Sequence, residues 1–530
     1  MDTDRTTMEN HLCILLPAIL PYWELELHHG SAKDYLKRAI ESLASVSHVS
    51  TISLLFVPTP ETEQQRSQTI KPPPAAADLD WSWCPVPYTI TELSSDSWHE
   101  ALTVVATTKP TGTVSVFWGD SPFLQIQVTK DLQELHSTYR ADFTFADGYP
   151  PGTAPELLNP DTIPSLLSLS YKHPSTIDRT LLFGLIQQDI NAYQIETLLS
   201  DFDFRPYRLE LNTSTRRNYL LCKKLSAGLT PEVLKEDPRE FINQIRSRQK
   251  DYRTLPAYFS IQISAQCPQQ CSYCPYPRMN PGLLNDTNYM PLDKALELFQ
   301  RLAEWSPESV ISLSPLGEPS THPDIYRIIS YIDRHLPQRL LIVTSGIGWN
   351  PEEIKRLVPT LKKTQWIISL DAVSEEEYQT LRGTGFHEAM SFTQTMLALS
   401  PADVYVQAVR LKDREEQLLA FYQYWKGKTE NIIIQKYANQ GGLLPDRKAV
   451  DLRPLKRLPC WHLMRDFTVL LDGSVPLCEQ SMGNHKPMGN IFKEEPKDIW
   501  DRITDPYHQH CDQNYPDVCR DCDEYYTYNF

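Results

Sequence analysis

The chain has 530 residues, 41% of them hydrophobic, and a formal charge of −16 at neutral pH. At about 150 residues per domain that is too long for one core and calls for three or four. The acidic balance, unrelieved by any lysine- or arginine-rich run, leaves no excess cation to displace counterions from phosphate and excludes a general nucleic-acid surface.

The amino terminus, Met1-Asp-Thr-Asp-Arg-Thr-Thr-Met-Glu, lacks the cationic start of a secretory signal. The apolar run that follows is therefore read as a first core strand, Ile14–Leu20. Val49–Val57 and Thr113–Trp118 are further predicted strands, and Lys33–Val46 has the spacing of an amphipathic helix. Pro58–Asp80, with Lys71-Pro-Pro-Pro, breaks every periodicity and is expected as an exposed loop. Residues 226–255, charged and carrying Pro231 and Pro238, read as a helical connector.

From Tyr258 to Lys436, β-rich runs alternate with helix-period segments, the pattern of successive βα units on a parallel sheet. The predicted strands are Phe259–Ser264, Val310–Ser314, Leu340–Thr344, Trp366–Leu370, Val404–Val409 and Asn431–Gln435. Six of them give an α/β fold with a partial (β/α)6 barrel. Nothing approaches the eighteen or so apolar residues of a membrane span, so a soluble chain in the reducing cytoplasm is expected.

Eight of the eleven cysteines lie from Cys267 onward. Disulfide scaffolds belong mainly to small secreted domains, so clustering in a long chain points to metal. Cys267-x3-Cys271-x2-Cys274 follows the first barrel strand, which puts it at a carboxyl end of the sheet, where α/β folds gather their chemistry. A [4Fe–4S] cluster takes four ligands, so three thiolates leave one iron open to a reactant. A zinc loop is the alternative, but zinc sites usually pair CxxC with a second CxxC or with histidines.

The triplet and its strand context resemble the radical S-adenosylmethionine (SAM) enzymes. That resemblance implies a [4Fe–4S] cluster on Cys267, Cys271 and Cys274, SAM on its open iron, and a reductant such as flavodoxin or ferredoxin. The protein's share is to bind, orient and shield. Ser314-Pro-Leu-Gly-Glu318 resembles the family's Gly-Gly-Glu loop, with Leu316 replacing the first glycine. It assigns Gly317 and Glu318 to the methionyl end of SAM; a plain helix-capping turn is the other reading. Thr344-Ser-Gly346 sits where the family often has Thr-Asn-Gly. By the same resemblance Ser369 of Ser369-Leu-Asp371, which ends the fourth strand, or its neighbour meets the SAM ribose, Arg382 pairs with the SAM carboxylate or else lies on the surface, and Tyr273 contacts adenine. Gln407 would face the same cavity.

A second set, Cys460, Cys478, Cys519 and Cys522, can close a tetrahedral metal site or a fully ligated cluster. The surrounding words, Pro-Cys-Trp, Leu471-Asp-Gly-Ser-Val and Cys519-Arg-Asp-Cys, resemble SPASM and twitch extensions, which implies one auxiliary [4Fe–4S] cluster. Cys511 is left over, most simply a plain thiol. In some SPASM enzymes an acidic residue after the hairpin cysteine takes a substrate proton, and Glu479 matches it; an exposed hairpin carboxylate is the bland alternative. The cluster would accept an electron or staple the tail.

In the first domain, Trp118-Gly-Asp-Ser-Pro resembles the turn that presents a metal-binding aspartate in sugar-activating nucleotidyltransferases, making Asp120 that residue. The first strand, however, runs on without glycine, arginine or lysine until Gly30, so a degenerate domain for substrate or partner recognition is expected. The layout, residues 1–225 nucleotidyltransferase-like, 226–255 connector, 256–445 radical SAM barrel and 446–530 SPASM/twitch-type, resembles the spiro-SPASM family. Hydrogen abstraction from a peptide or protein side chain is the leading expectation. A sugar or nucleotide-linked small molecule comes second, and a nucleotidyl- or glycosyltransferase with an iron–sulfur tail third.

Overall fold

A computed structural model describes residues 10–46, 48–58, 79–276, 289–313, 315–483 and 486–527. The chain divides into two units, residues 1–254 and 255–530. Most of the predicted loop Pro58–Asp80 lies outside the described residues.

In the first unit seven strands form one sheet: β1 Asn10–Pro17, β2 Val49–Val57, β3 Tyr88–Glu92, β4 Val114–Trp118, β5 Phe143–Asp147, β6 Glu156–Leu158 and β7 Ile195–Leu199, in the order β3-β2-β1-β4-β6-β5-β7. Only β6 runs against its neighbours. Successive side chains of a strand point to opposite faces, and β1 is apolar on both. Leu12, Ile14 and Leu16 join one core with the helix α1, Ala32–Val46, while Cys13 and Leu15 join a second core on the other face. A strand buried on both faces is the mark of a sheet covered by helices on each side. The helices Pro231–Glu236 and Pro238–Ser247, in the predicted connector, belong to this unit.

The second unit is built on a sheet of seven parallel strands. They are β8 Tyr258–Ile261, β9 Val310–Ser312, β10 Arg339–Thr344, β11 Thr364–Ser369, β12 Val404–Arg410, β13 Ile432–Lys436 and β14 Asp466–Val469. The order β13-β12-β11-β10-β9-β8-β14 keeps the six predicted strands in sequence, each within a few residues of its expected bounds. The seventh was not foreseen. β14, from the cysteine-rich tail, pairs along the free edge of β8, with Ser260 opposite Thr468, so part of the tail extends the barrel sheet. An unpaired strand edge invites such a partner.

Alternation gives this sheet one face of two characters. Tyr258, Val310, Leu341 and Ile367 pack into an apolar cluster with Tyr405 and Ile433 against it. Two residues further along the same strands come Ser260, Ser312, Ser369, Gln407 and Gln435. Because all strands run the same way, the apolar plug marks their starts and the polar set their carboxyl ends. On the other face, helices such as Leu292–Trp305 and Ile325–His335 supply buried Leu298, Phe299, Ile328 and Ile332. Among the described residues no helix is long and apolar enough to cross a membrane.

In the first unit His11 is 1% exposed, its ring nitrogens 2.7 Å from Thr51 Oγ1 and 3.0 Å from Ser53 Oγ. Burial pushes its pKa down to about 4. The unfolded chain therefore binds more protons, and stability contributed by the neutral ring is lost as pH falls from about 6.5 towards 4, up to about 3 kcal/mol. Denaturant midpoints of the first unit should fall over that window, and His11→Gln should flatten the fall.

Candidate functional site

The segment carrying Cys267, Cys271 and Cys274 has no regular structure after β8 and is held by backbone groups from two neighbouring loops. On one side, Glu318 N–H donates to the Gln266 carbonyl at 2.7 Å. Gly317 lies so close that a Cβ would meet the Ser264 carbonyl oxygen at 2.1 Å, and its φ is +91°. Only glycine fits that position. Leu316, where the family pattern has another glycine, also takes a positive φ, +54°. On the other side, Gln270 N–H and Ser272 N–H donate to the carbonyls of Arg382 and Leu381, and Gln269 Nε2 donates to Thr384 O.

The three thiols are half-buried and close enough to feel one another's charge. Burial pushes Cys267 up to about 12 and Cys274 to about 11, and raises Cys271 despite the cation of Arg382 beside it. Thiols held so far from ionisation need a cation to become ligands, and binding one releases their protons.

Glu318 is 3% exposed. Its Oε1 accepts from the Thr344 hydroxyl and Ser320 N–H, and its Oε2 accepts from Ser345 N–H at 2.7 Å. It does cap the short turn Pro319–Thr321, as the alternative reading held, and it also joins the Thr344-Ser345-Gly346 segment ending β10. Burial raises its pKa against those hydrogen bonds. The Ser345 side chain adds a further hydrogen bond to this carboxylate.

Arg382 is buried, not a surface residue. Its Nη1 donates to Asp371 Oδ2 at 2.6 Å and to the Tyr273 hydroxyl at 2.5 Å, while the Tyr273 hydroxyl donates to Asp371. Asp371, at φ +64°, also accepts from Val409 N–H through Oδ1. Thus Tyr273 and Arg382, both assigned to SAM, meet each other and a buried aspartate beside Cys271. Asp371 was missed as a site residue because nothing in Ser-Leu-Asp announces its left-handed backbone. Ser369 and Gln407 do come together: Gln407 Nε2 donates to Ser369 Oγ at 3.3 Å and to Gln435 Oε1 at 2.8 Å.

In the tail, Cys460 precedes the helix Trp461–Arg465, Cys478 opens the turn Glu479–Ser481, and Cys519 sits in the helix Asp517–Arg520 with Cys522 just beyond. Burial raises all four thiols, and their charges act on one another. Cys511, half-buried, ends the helix Thr504–Cys511. Glu479 is no exposed hairpin residue: Ser260 on β8 donates to its carboxyl. Burial raises its pKa, as does Asp466, while Ser260 and His462 oppose. His462 Nδ1 lies 2.6 Å from Asp466 Oδ2 and Nε2 3.0 Å from Thr527 Oγ1. Among the described residues no three such groups close on a single metal ion; a cube holds its ligands at its corners, wider apart than one ion does. Three soft thiols in one set and four in the other fit iron–sulfur chemistry, the first with a cluster position for a non-protein ligand.

In the first unit Asp120 is fully buried and clamped by Arg179 at 2.6 and 2.8 Å, with that guanidinium over the Trp118 ring.

Residues 261–404 match the family model of the radical SAM superfamily, and residues 460–523 match SPASM, an iron–sulfur cluster-binding domain. A protein of Treponema pallidum (strain Nichols), described as uncharacterized, is 33% identical over 365 residues, 66% of this chain and 99% of that protein. GTP 3′,8-cyclase of Klebsiella pneumoniae (strain 342) is 23% identical over 169 residues, 32% of this chain and 50% of the enzyme. The crystal structure of Streptococcus suis SuiB bound to S-adenosylmethionine is similar with a TM-score of 0.40 at 13% identity, covering 54% of this chain and 75% of SuiB.

Gly317→Ala sets a methyl group against a backbone carbonyl in a left-handed conformation, at a cost of at least about 2 kcal/mol. The melting temperature of the second unit should drop and equilibrium SAM binding weaken. Unaltered SAM affinity would show that the close approach to Ser264 is not needed.

Proposed function

Because the chain belongs to the radical SAM superfamily and carries a SPASM iron–sulfur domain, we propose that it oxidises a bound peptide or protein side chain at the polar end of the parallel sheet. The enzyme holds a SAM-binding [4Fe–4S] cluster, SAM and an auxiliary iron–sulfur cluster, and needs a reductant. When bound, the cluster and SAM would supply 5′-deoxyadenosyl radical chemistry for hydrogen-atom abstraction.

The chain's own residues do the rest. Cys267, Cys271 and Cys274 hold the cluster, and Cys460, Cys478, Cys519 and Cys522 hold the auxiliary one. Gly317 gives SAM backbone access, Glu318 accepts from its amino group, and the buried set of Arg382, Tyr273 and Asp371 frames its carboxylate and adenine ends. Ser369 takes the ribose and Gln407 steadies Ser369. Glu479 takes a proton from the substrate, and the centre that Cys460, Cys478, Cys519 and Cys522 would hold would supply an acceptor for one electron, as a two-electron oxidation requires.

The observation that carries this reading is the Ser260–Glu479 hydrogen bond. It ties the carboxylate after a tail cysteine to the strand from which the Cys267 loop departs, so a base and the polar ends of the strands share one place. Peptide substrates are favoured by the SPASM-type tail. A sugar or nucleotide-linked small molecule is the second reading, its nucleotide form supported by the likeness to GTP 3′,8-cyclase. The first unit serves as a degenerate nucleotidyltransferase-like recognition domain in a cytoplasmic enzyme. The Arg179 clamp on Asp120 speaks against metal binding there, and so against the transferase reading.

Anaerobic reconstitution should give about eight irons per chain, and about four once the Cys267, Cys271 and Cys274 triplet is replaced by alanine. That variant should form no 5′-deoxyadenosine with SAM and dithionite. With a peptide library, wild type should yield products lacking two hydrogens. Glu479→Gln should retain iron and 5′-deoxyadenosine formation while product falls on the order of 10²-fold. Stimulation of SAM cleavage by nucleotide sugars and not by peptides would select the second reading.

A further inference from the structure

The tail cysteines sit beside a cation that has no carboxylate partner among the described residues. Arg457, three residues before Cys460, donates through Nη2 to the Cys519 carbonyl at 2.5 Å and through Nη1 to the Arg520 carbonyl at 2.8 Å. Its guanidinium lies over Tyr515 and Tyr525, 4.1 and 4.7 Å from the ring centroids. Its Nε is buried without a hydrogen-bond partner among the described residues. No carboxylate pairs with it there. A planar fork reaching two carbonyls while stacking on rings is arginine's geometry and not lysine's.

Two nearby carboxylates have other partners. Asp523 and Glu524, which follow Cys522, are tied to Lys436 and Lys448. His510 packs edge-on against Tyr515, and burial together with Arg457 holds its pKa down to about 4, so it is neutral at pH 7.

We propose that Arg457 sets the reduction potential of the auxiliary iron–sulfur centre, raising it so that the centre takes an electron more readily. The inference rests on the four-cysteine assignment above. Cluster potential follows net charge, hydrogen bonding and solvent exposure. Reduction adds a negative charge, and a fixed cation walled by aromatic rings stabilises the reduced state with less screening than in water. Arg457 is a positioning residue in this role, acting through the centre without touching substrate.

The test is an EPR-monitored redox titration of the full chain in which Cys267, Cys271 and Cys274 are alanine, leaving the auxiliary centre alone, with iron counted in every variant. Arg457→Gln should shift the reduced-to-oxidised ratio at fixed potential at least tenfold towards oxidised, ~59 mV for one electron. Arg457→Lys, which keeps the charge, should recover most of that shift. Tyr515→Glu leaves Arg457 in place and sets a carboxylate against it, so the ratio should move the same way as in Arg457→Gln. An unchanged potential in whichever of the Gln and Glu variants retains about four irons overturns the proposal. Absence of iron in the triplet-alanine parent overturns the cluster assignment itself.

Discussion

The site depends on borrowed backbone hydrogen bonds. Residues 263–276 form neither helix nor strand of any length, and a buried peptide group without a partner is costly. Their partners are the carbonyls of Leu381 and Arg382 on one side and the Gly317-Glu318 turn on the other. The three thiols are thus fixed relative to Glu318 and Arg382 by main chain, which side-chain rotamers cannot relax. Gly317 is the tightest point, since its absent Cβ lets the two loops touch.

That clamp works because of where the parallel sheet ends. Each strand's carboxyl end feeds a loop, and the in-order arrangement of β8 to β13 brings those loops side by side. The apolar cluster around Tyr258, Val310, Leu341 and Ile367 fills the opposite end. It leaves Ser260, Ser369, Gln407 and Gln435 towards the carboxyl ends of their strands. Ser260, Ser369 and Gln407 are buried, and polar groups are tolerated there when they are bonded, as Gln407 is to Ser369 and to the exposed Gln435.

The tail is joined to this sheet by more than one kind of force. β14 adds main-chain hydrogen bonds to the edge of β8, Lys436 at the end of β13 is ion-paired with Asp523 and Glu524, and Glu479 meets Ser260. Sheet edges on both flanks therefore hold the auxiliary cysteines to the same scaffold. In the first unit the same physics produces a different outcome: Asp120 stands at the end of β4 where a metal ligand is expected, yet Arg179 satisfies both its oxygens.

The amino-acid sequence by itself determined what depends on local spacing. Six strands, their parallel order and the two cysteine sets follow from period-2 runs, βα alternation and thiol spacing, all short-range signals, whereas Glu318 was legible only through a family resemblance. Tertiary structure alone decided which side chains meet across long sequence separations. Arg382 and Tyr273, read one by one as SAM contacts, face each other and Asp371 because a left-handed residue turns that carboxylate inward. β14 joins β8 across some two hundred residues because an open strand edge takes any extended segment with the right pattern. Glu479 comes off the surface for the same reason, since its turn is carried to Ser260 by that pairing.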